Sequence, residues 1–195
     1  MQDVTFWEFM FGTLLGDGCI AKLNKGAKTH RWSCGHSENQ LDYLRWKVNY
    51  LSFWDLHTGN ITKHVSNSKR YKNPCVSYYT KSRSDEIFSE YRELFYPKDK
   101  RLIPRIDLTP NILSILYMDD GHLLKRPGRT DKAVYNLHSF TNEDREWICF
   151  QFSRFNIKAT CRHKNGEVAI SAYSMDNFRK IIEVLPMFQY KMGPV

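Results

Sequence analysis

Met10-Phe11-Gly12-Thr13-Leu14-Leu15-Gly16-Asp17-Gly18 returns later in the chain as Leu113-Ser114-Ile115-Leu116-Tyr117-Met118-Asp119-Asp120-Gly121. Each stretch is an apolar, helix-length run ending in Asp-Gly. Glycine stops a helix at little cost because it takes up positive φ without strain. The aspartate is therefore expected at a helix C-terminus, where backbone carbonyls already carry partial negative charge. A carboxylate is badly placed there unless a cation reverses the sign of the interaction. Carboxylate and carbonyl oxygens together suit a hard divalent ion. One Asp-Gly is an ordinary helix-ending turn. Two, 103 positions apart in 195 residues, indicate an internal duplication that brings two carboxylates together. Gly12 and Gly16 fall on one helix face. A mid-helix glycine costs about 1 kcal/mol against alanine, so the pair predicts close backbone approach to another helix.

The flanking sequence repeats in the same order. A first helix over 4–17 is followed by a strand-like segment, 18–37, that turns at Gly26. Alternation over 29–36 puts Arg31 and Ser33 on one face and His30, Trp32, Cys34 and His36 on the other. A helix over 38–55, strands within 56–84 and a helix over 84–96 complete the first set. Pro97, Pro104 and Pro110 mark a linker. The second set is a helix over 110–120, a hairpin over 121–140 turning at Pro127-Gly128, and a helix over 142–155. A hairpin over 157–172 then turns at Asn165-Gly166, and a last helix spans 174–185. His36-Ser37 and His138-Ser139 hold corresponding places in the two sets. The plan is αββαββα twice, an α+β fold, with a first half at 1–97, a linker at 98–109 and a second half at 110–195.

Hydrophobic residues make up 42% of the chain, enough for a packed core, and the net charge of +8 favours a polyanionic partner. The basic residues segregate. Lys22, Lys25, Lys28 and Arg31 lie in 18–37; Lys63, Lys69, Arg70, Lys72, Lys81 and Arg83 lie in 56–84. Lys125, Arg126, Arg129 and Lys132 follow in 121–142, and Lys158, Arg162 and Lys164 in 156–166. These strand segments hold 17 of the 29 Lys and Arg and one acid, Asp131. Joined in sheets, they predict a basic surface that tracks a duplex. Five cysteines without a CxxC pair indicate reduced, intracellular thiols. No apolar run is long enough to span a bilayer, so no membrane partner is expected. The compartment is not written in the sequence; organelle, bacterial cytoplasm and phage-infected cytoplasm all fit.

With these residues in view, the chain resembles the LAGLIDADG homing endonucleases in their single-chain, two-motif form. The resemblance covers nearly the whole chain, and both nine-residue motifs align without gaps. It implies two motif helices packed side by side at the centre and a saddle-like antiparallel sheet from each half lying in the DNA major groove. The metal-binding acids of the motif fall on Asp17 and Asp120, and its closing glycines on Gly18 and Gly121. Asp119 stands where the family has a small residue, which makes it a second candidate ligand; the Gly16 carbonyl is another. A basic residue near each active site aligns with Arg101, with Lys100 as its rival, and with Lys191. The resemblance implies a monomeric, Mg²⁺-dependent, site-specific endodeoxyribonuclease that makes a double-strand break in a long asymmetric target, and an intron-encoded one. Mn²⁺ is expected to substitute, and Ca²⁺ to support binding without cleavage. Divalent ions activate water, neutralise phosphate charge and stabilise the leaving oxygen, so no protein general base is required.

Two other readings stand beside this one. An RNA maturase on the same fold would have its host intron RNA as partner. Cys34-Gly35-His36, with Cys19 or His30, spells a zinc site, but its C-x-H spacing has no matching second pair. The histidines are instead expected to pack or hydrogen-bond within the sheets.

Overall fold

The computed structural model describes residues 3–23, 25–66 and 74–193. Lys69, Arg70 and Lys72 lie outside the described residues. The chain forms two compact units. One combines Met1–Gly16 with Phe95–Val195, and the other is Asp17–Leu94.

In the first unit, helix α1 (Phe6–Leu15) starts at a capping box in which Thr5 and Glu8 satisfy each other's backbone N–H groups. Helix α4 (Pro110–Asp120) starts at Thr109, whose side chain accepts from the Ile112 N–H, with proline at the first helical position. The two helices pack against each other. A Cβ added at Gly12 would lie 2.6 Å from Ile115 Cβ, and one added at Gly16 would lie 2.5 Å from Asp119 Cβ. Carbon atoms in ordinary contact are about 3.5–4.0 Å apart. The glycine pair therefore does what its spacing predicts. Glu8 ties the N-terminal ends together by accepting from Thr109 Oγ1 at 2.7 Å and Asn111 Nδ2 at 3.1 Å.

The same unit holds an antiparallel sheet of β5 (Gly121–Leu124), β6 (Lys132–Asn136), β7 (Ala159–Arg162) and β8 (Glu167–Ile170), in the order β5-β6-β8-β7. Helices α5 (Asn142–Ser153) and α6 (Met175–Ile181) supply the rest of its core. Tyr117 of α4 lies 5.1 Å from the rings of both Tyr135 and Phe178, and Tyr135 lies 5.3 Å from Phe152. Tyr135 spends its hydroxyl on the Leu113 carbonyl at 3.2 Å, so α4 is both packed and hydrogen-bonded to the sheet. The last helix is shorter than the expected 174–185. The Glu183 and Leu185 N–H groups go to Ser114 Oγ and Met118 Sδ of α4, which draws the chain off the helical path. Pro186–Lys191 then forms a 3-10 turn.

The second unit contains β1 (Gly18–Ile20), β2 (Trp32–Ser37), β3 (Thr62–Ser66) and β4 (Cys75–Lys81) in the order β1-β2-β4-β3, with α2 (Leu41–Phe53) and α3 (Glu86–Phe95). Its topology repeats that of the other sheet element by element. Trp32, Cys34 and His36 are buried, as the alternation requires, and α2 packs on β2 and β4. Arg92 donates to the Ile20 carbonyl at 2.6 Å. Register corrects one expectation. The motif glycines Gly18 and Gly121 pair with Cys34 and Tyr135. Two residues further along, the position of His36 is therefore matched by Leu137, not by His138.

Candidate metal and nucleic-acid site

Asp120 closes α4, while Asp17 follows Gly16, the C-cap of α1; the two cap glycines, Gly16 and Gly121, are required by contact rather than by left-handed backbone. Gly16 has φ −99° and Gly121 φ −89°. A Cβ at Gly121 would lie 2.0 Å from the Tyr117 ring, and one at Gly16 would lie 2.3 Å from Asp119 Oδ2. The Asp119 side chain thus occupies the space that Gly16 leaves open, at the C-terminal ends of α1 and α4. Asp17 follows Gly16 directly in the chain. Asp120 is half-buried, and its carbonyl accepts from Asn136 Nδ2 at 3.1 Å.

Each motif helix ends on a cation. Arg101 Nη2 donates to the carbonyls of Leu14 at 2.6 Å and Gly16 at 2.7 Å. Lys191 Nζ donates to the carbonyls of Met118 at 2.7 Å and Tyr117 at 3.3 Å. Leu14 and Tyr117 hold the same motif position, so the two caps are counterparts. A positive charge here satisfies orphan carbonyls and offsets the negative end of the helix dipole, which eases the placement of carboxylates beside it. Phe140 and Phe188 shelter the cations, at 4.8 Å from Arg101 and from Lys191. Lys191 is only 6% exposed. The rival of Arg101, Lys100, is exposed, and its backbone N–H closes a turn onto Pro97. One lone pair of the Gly16 carbonyl is thus taken by Arg101.

Each motif ends in a carboxylate with backbone carbonyls close by, donors of the kind a hard divalent ion accepts, with water and phosphate oxygens completing its shell. Two further side chains stand beside the acids. His36 Nδ1 lies 3.4 Å from Asp17 Oδ2. Asn136 Nδ2 lies 3.2 Å from His122 Nδ1. Burial depresses the His122 pKa, aided by Lys191 and Arg162 and opposed by Glu167. Sequence singled out His36 only as a packed or zinc-binding histidine, not as a neighbour of Asp17, and did not single out Asn136. The distances of His36 and Asn136 along the chain from Asp17 and Asp120 have no periodic signature; strand pairing brings them close.

The basic residues divide by strand face. In the first sheet, Ser33 pairs with Lys81 and Gly35 with Tyr79, on the open face that also carries Arg31. Lys63 pairs with Tyr78 and so shares the opposite face with His36. Lys22, Arg31 and Lys81 line a depression of about 190 Å³, while Lys25 and Lys28 are exposed in the β1–β2 connection and Arg83 follows β4. Tyr79, half exposed, lies over Gly35, where a Cβ would be 2.2 Å from the ring, and meets His64 edge-on at 6.1 Å. In the second sheet Lys132, Asn136, Glu167 and Arg162 share the open face by register. Arg162 is paired with Glu167 at 3.2 Å. Arg126 folds back onto the Thr130 carbonyl in the β5–β6 loop, near Lys125 and Arg129. Lys158 and Lys164 are exposed.

The zinc reading of Cys34-Gly35-His36 finds no Cys/His ligand set among the described residues. Cys19 is exposed on the strand face opposite Cys34, and His30 Nδ1 is bonded to Ser89 at 2.9 Å.

The LAGLIDADG DNA endonuclease family matches residues 7–178 of this chain. The cytochrome b mRNA maturase bI2 of Debaryomyces hansenii is 28% identical over 98% of this chain and 74% of its own length. The homing endonuclease I-WcaI bound to its DNA recognition sequence superposes with a TM-score of 0.81 at 18% identity, over 95% of this chain and 84% of that one. I-DmoI in complex with DNA and Mn gives a TM-score of 0.56 at 15% identity, over 90% and 94%. Other structures of I-DmoI were solved with Mg or Ca. No helix among the described residues is long and apolar enough to cross a membrane.

Proposed function

Because this chain belongs to the LAGLIDADG DNA endonuclease family, we propose that it binds double-stranded DNA and makes a site-specific double-strand break that depends on divalent metal. The observation that carries the reading is the pair of Asp-terminated motif helices, packed through Gly12 and Gly16 and each capped by a buried or half-buried cation. A chain with no use for carboxylates at these helix ends gains nothing from keeping them there against the dipole.

Asp17 and Asp120 each hold metal at the end of its own motif, with Asp119 as the carboxylate next to Asp120. Mg²⁺ is the working ion and Mn²⁺ its substitute; Ca²⁺ supports binding alone. The bound ions supply Lewis-acid stabilisation of the phosphate and of the leaving oxygen. Arg101 and Lys191 hold the helix ends rigid and lower the local negative potential. Arg101 serves only as a positive charge. The open sheet faces carry DNA through Arg31, Lys81, Lys132 and the exposed loop lysines. Tyr79 and His64 offer flat contacts to bases among those charges.

The test is incubation with Mg²⁺ and DNA spanning the intron-free insertion locus of the gene. Double-strand cleavage is expected, lost in Asp17→Asn and Asp120→Asn while binding survives. Tight binding without cleavage by the wild type overturns the endonuclease reading. A second reading, an RNA maturase that assists its host intron, is supported by the end-to-end similarity to the bI2 maturase. Promotion of host-intron splicing in the same preparations would establish it.

A further inference from the structure

We propose that His36 is a nitrogen ligand of the ion held at Asp17, so that the first motif carries a mixed nitrogen–oxygen site. The inference rests on the metal reading above and adds a residue and a selectivity to it.

The geometry comes from the Asp17–Leu94 unit alone. His36 Nδ1 stands 3.4 Å from Asp17 Oδ2, and the imidazole side chain is fully buried. A charge-assisted hydrogen bond is shorter, about 2.7–2.9 Å. Two ligand atoms on one ion, each bonded at about 2.0–2.2 Å near the tetrahedral angle, stand at about this separation. The rest of the ring is held from behind. Its Nε2 lies 3.4 Å from Cys34 Sγ, which accepts from Lys47 Nζ at 3.6 Å. Lys47 is fully buried and lies over the Tyr43 ring at 4.5 Å, and that ring packs on His36 at 4.9 Å. An ammonium has only donors, so the sulfur faces it as an acceptor. In the proposed site His36 is the tautomer that gives its Nε2–H to the same sulfur and turns the Nδ1 lone pair toward Asp17. Metal-binding histidines are characteristically oriented in this way, by donating their other N–H. A lone pair and a carboxylate facing each other call for a cation between them. Asp17 and His36 also line an open pocket of about 460 Å³, which gives an ion and its waters access.

The other motif lacks a histidine at the matching strand position. Register puts Leu137 at the position of His36, 1% exposed and with no ligand atom in its side chain. Imidazole raises affinity for first-row transition ions, whereas carboxylate and carbonyl sites favour Mg²⁺ and Ca²⁺. The first site is therefore expected to favour Mn²⁺ and Co²⁺.

The experiment uses the full chain without DNA and Mn²⁺ as the probe. Binding is followed by loss of the free-ion EPR signal, and ¹⁴N coupling by pulsed EPR. One nitrogen-coupled Mn²⁺ is expected in the wild type and in Asp120→Asn, and none in Asp17→Asn. His36→Leu, which copies Leu137, should lose the coupling and at least tenfold in Co²⁺ affinity, with Mg²⁺ affinity changed less than threefold. His36→Gln serves as the polar control, and the wild-type signal itself needs no variant. Mn²⁺ that binds in an Asp17-dependent way without ¹⁴N coupling overturns the role of His36 and leaves the metal reading intact. Absence of any Asp17-dependent Mn²⁺ overturns the metal reading, and this inference with it.

Discussion

Alanine at position 16 should destabilise the protein through one identifiable contact. The new Cβ would lie 2.3 Å from Asp119 Oδ2, 2.5 Å from Asp119 Cβ and 2.7 Å from Cγ. A carbon pair needs about 3.5 Å or more, so the shortfall is on the order of 1 Å. Rotating the carboxylate relieves the first contact and not the second, because Asp119 Cβ is fixed to the α4 backbone. Gly16 has φ −99°, so the cost is contact rather than left-handed strain. Overpacking of this kind costs about 1–3 kcal/mol. At roughly 2–4 °C per kcal/mol for a chain of this size, the melting temperature should fall by about 4–8 °C for a mid-range cost. The partner variant Asp119→Gly removes the offending Cβ and costs only about 0.3 kcal/mol in helix propensity. If the contact is the cause, the double variant is more stable than the sum of the single effects by about 1–2 kcal/mol. Urea unfolding of the four proteins completes the cycle. A Gly16→Ala protein melting within about 1 °C of wild type, or strictly additive effects, would refute the argument.

Other expectations follow from the same contacts. Burial pushes the Glu8 carboxyl up, but hydrogen bonds from Thr109, Thr5 and Asn111 outweigh it and leave the pKa below its usual 4.5. A depressed folded value means stability that is present above pH 4.5 and lost as pH falls through the folded pKa. Urea midpoints of Glu8→Gln should therefore decline less steeply than wild type below that pH, and an identical decline would discount the hydrogen bonds. Arg101→Met and Lys191→Met each strip two charge-assisted bonds from helix-end carbonyls. Each should cost about 2–4 kcal/mol in urea, and Arg101→Lys should recover part of the loss. Iodoacetamide mapped by mass spectrometry should label exposed Cys19 and Cys75 first. Cys149, whose thiol is pushed up to about 12 by burial with help from Cys161 and Glu146, should react far more slowly.

The duplicated Asp-Gly runs, the αββαββα order and the hairpin at Asn165-Gly166 were legible in the chain because each is a local pattern: an apolar period, a turn dipeptide, a change of charge. Strand alternation alone placed Trp32, Cys34 and His36 on the buried face. The Gly12–Gly16 spacing announced a close helix contact without naming the partner helix. What filled those spaces was decided by tertiary structure. That Asp119 fills the gap at Gly16 depends on the crossing of α1 and α4. That Arg101 and Lys191 cap the motif helices depends on contacts spanning 85 to 87 and 73 to 74 residues. Pairing register placed Leu137 opposite His36 in the repeat, where matching the His-Ser dipeptides had pointed to His138, and turned Lys63 away from the open face. A one-residue slip in register exchanges strand faces, and a helix cap needs only a reachable carbonyl. Neither leaves a periodic trace in the amino acids that make it.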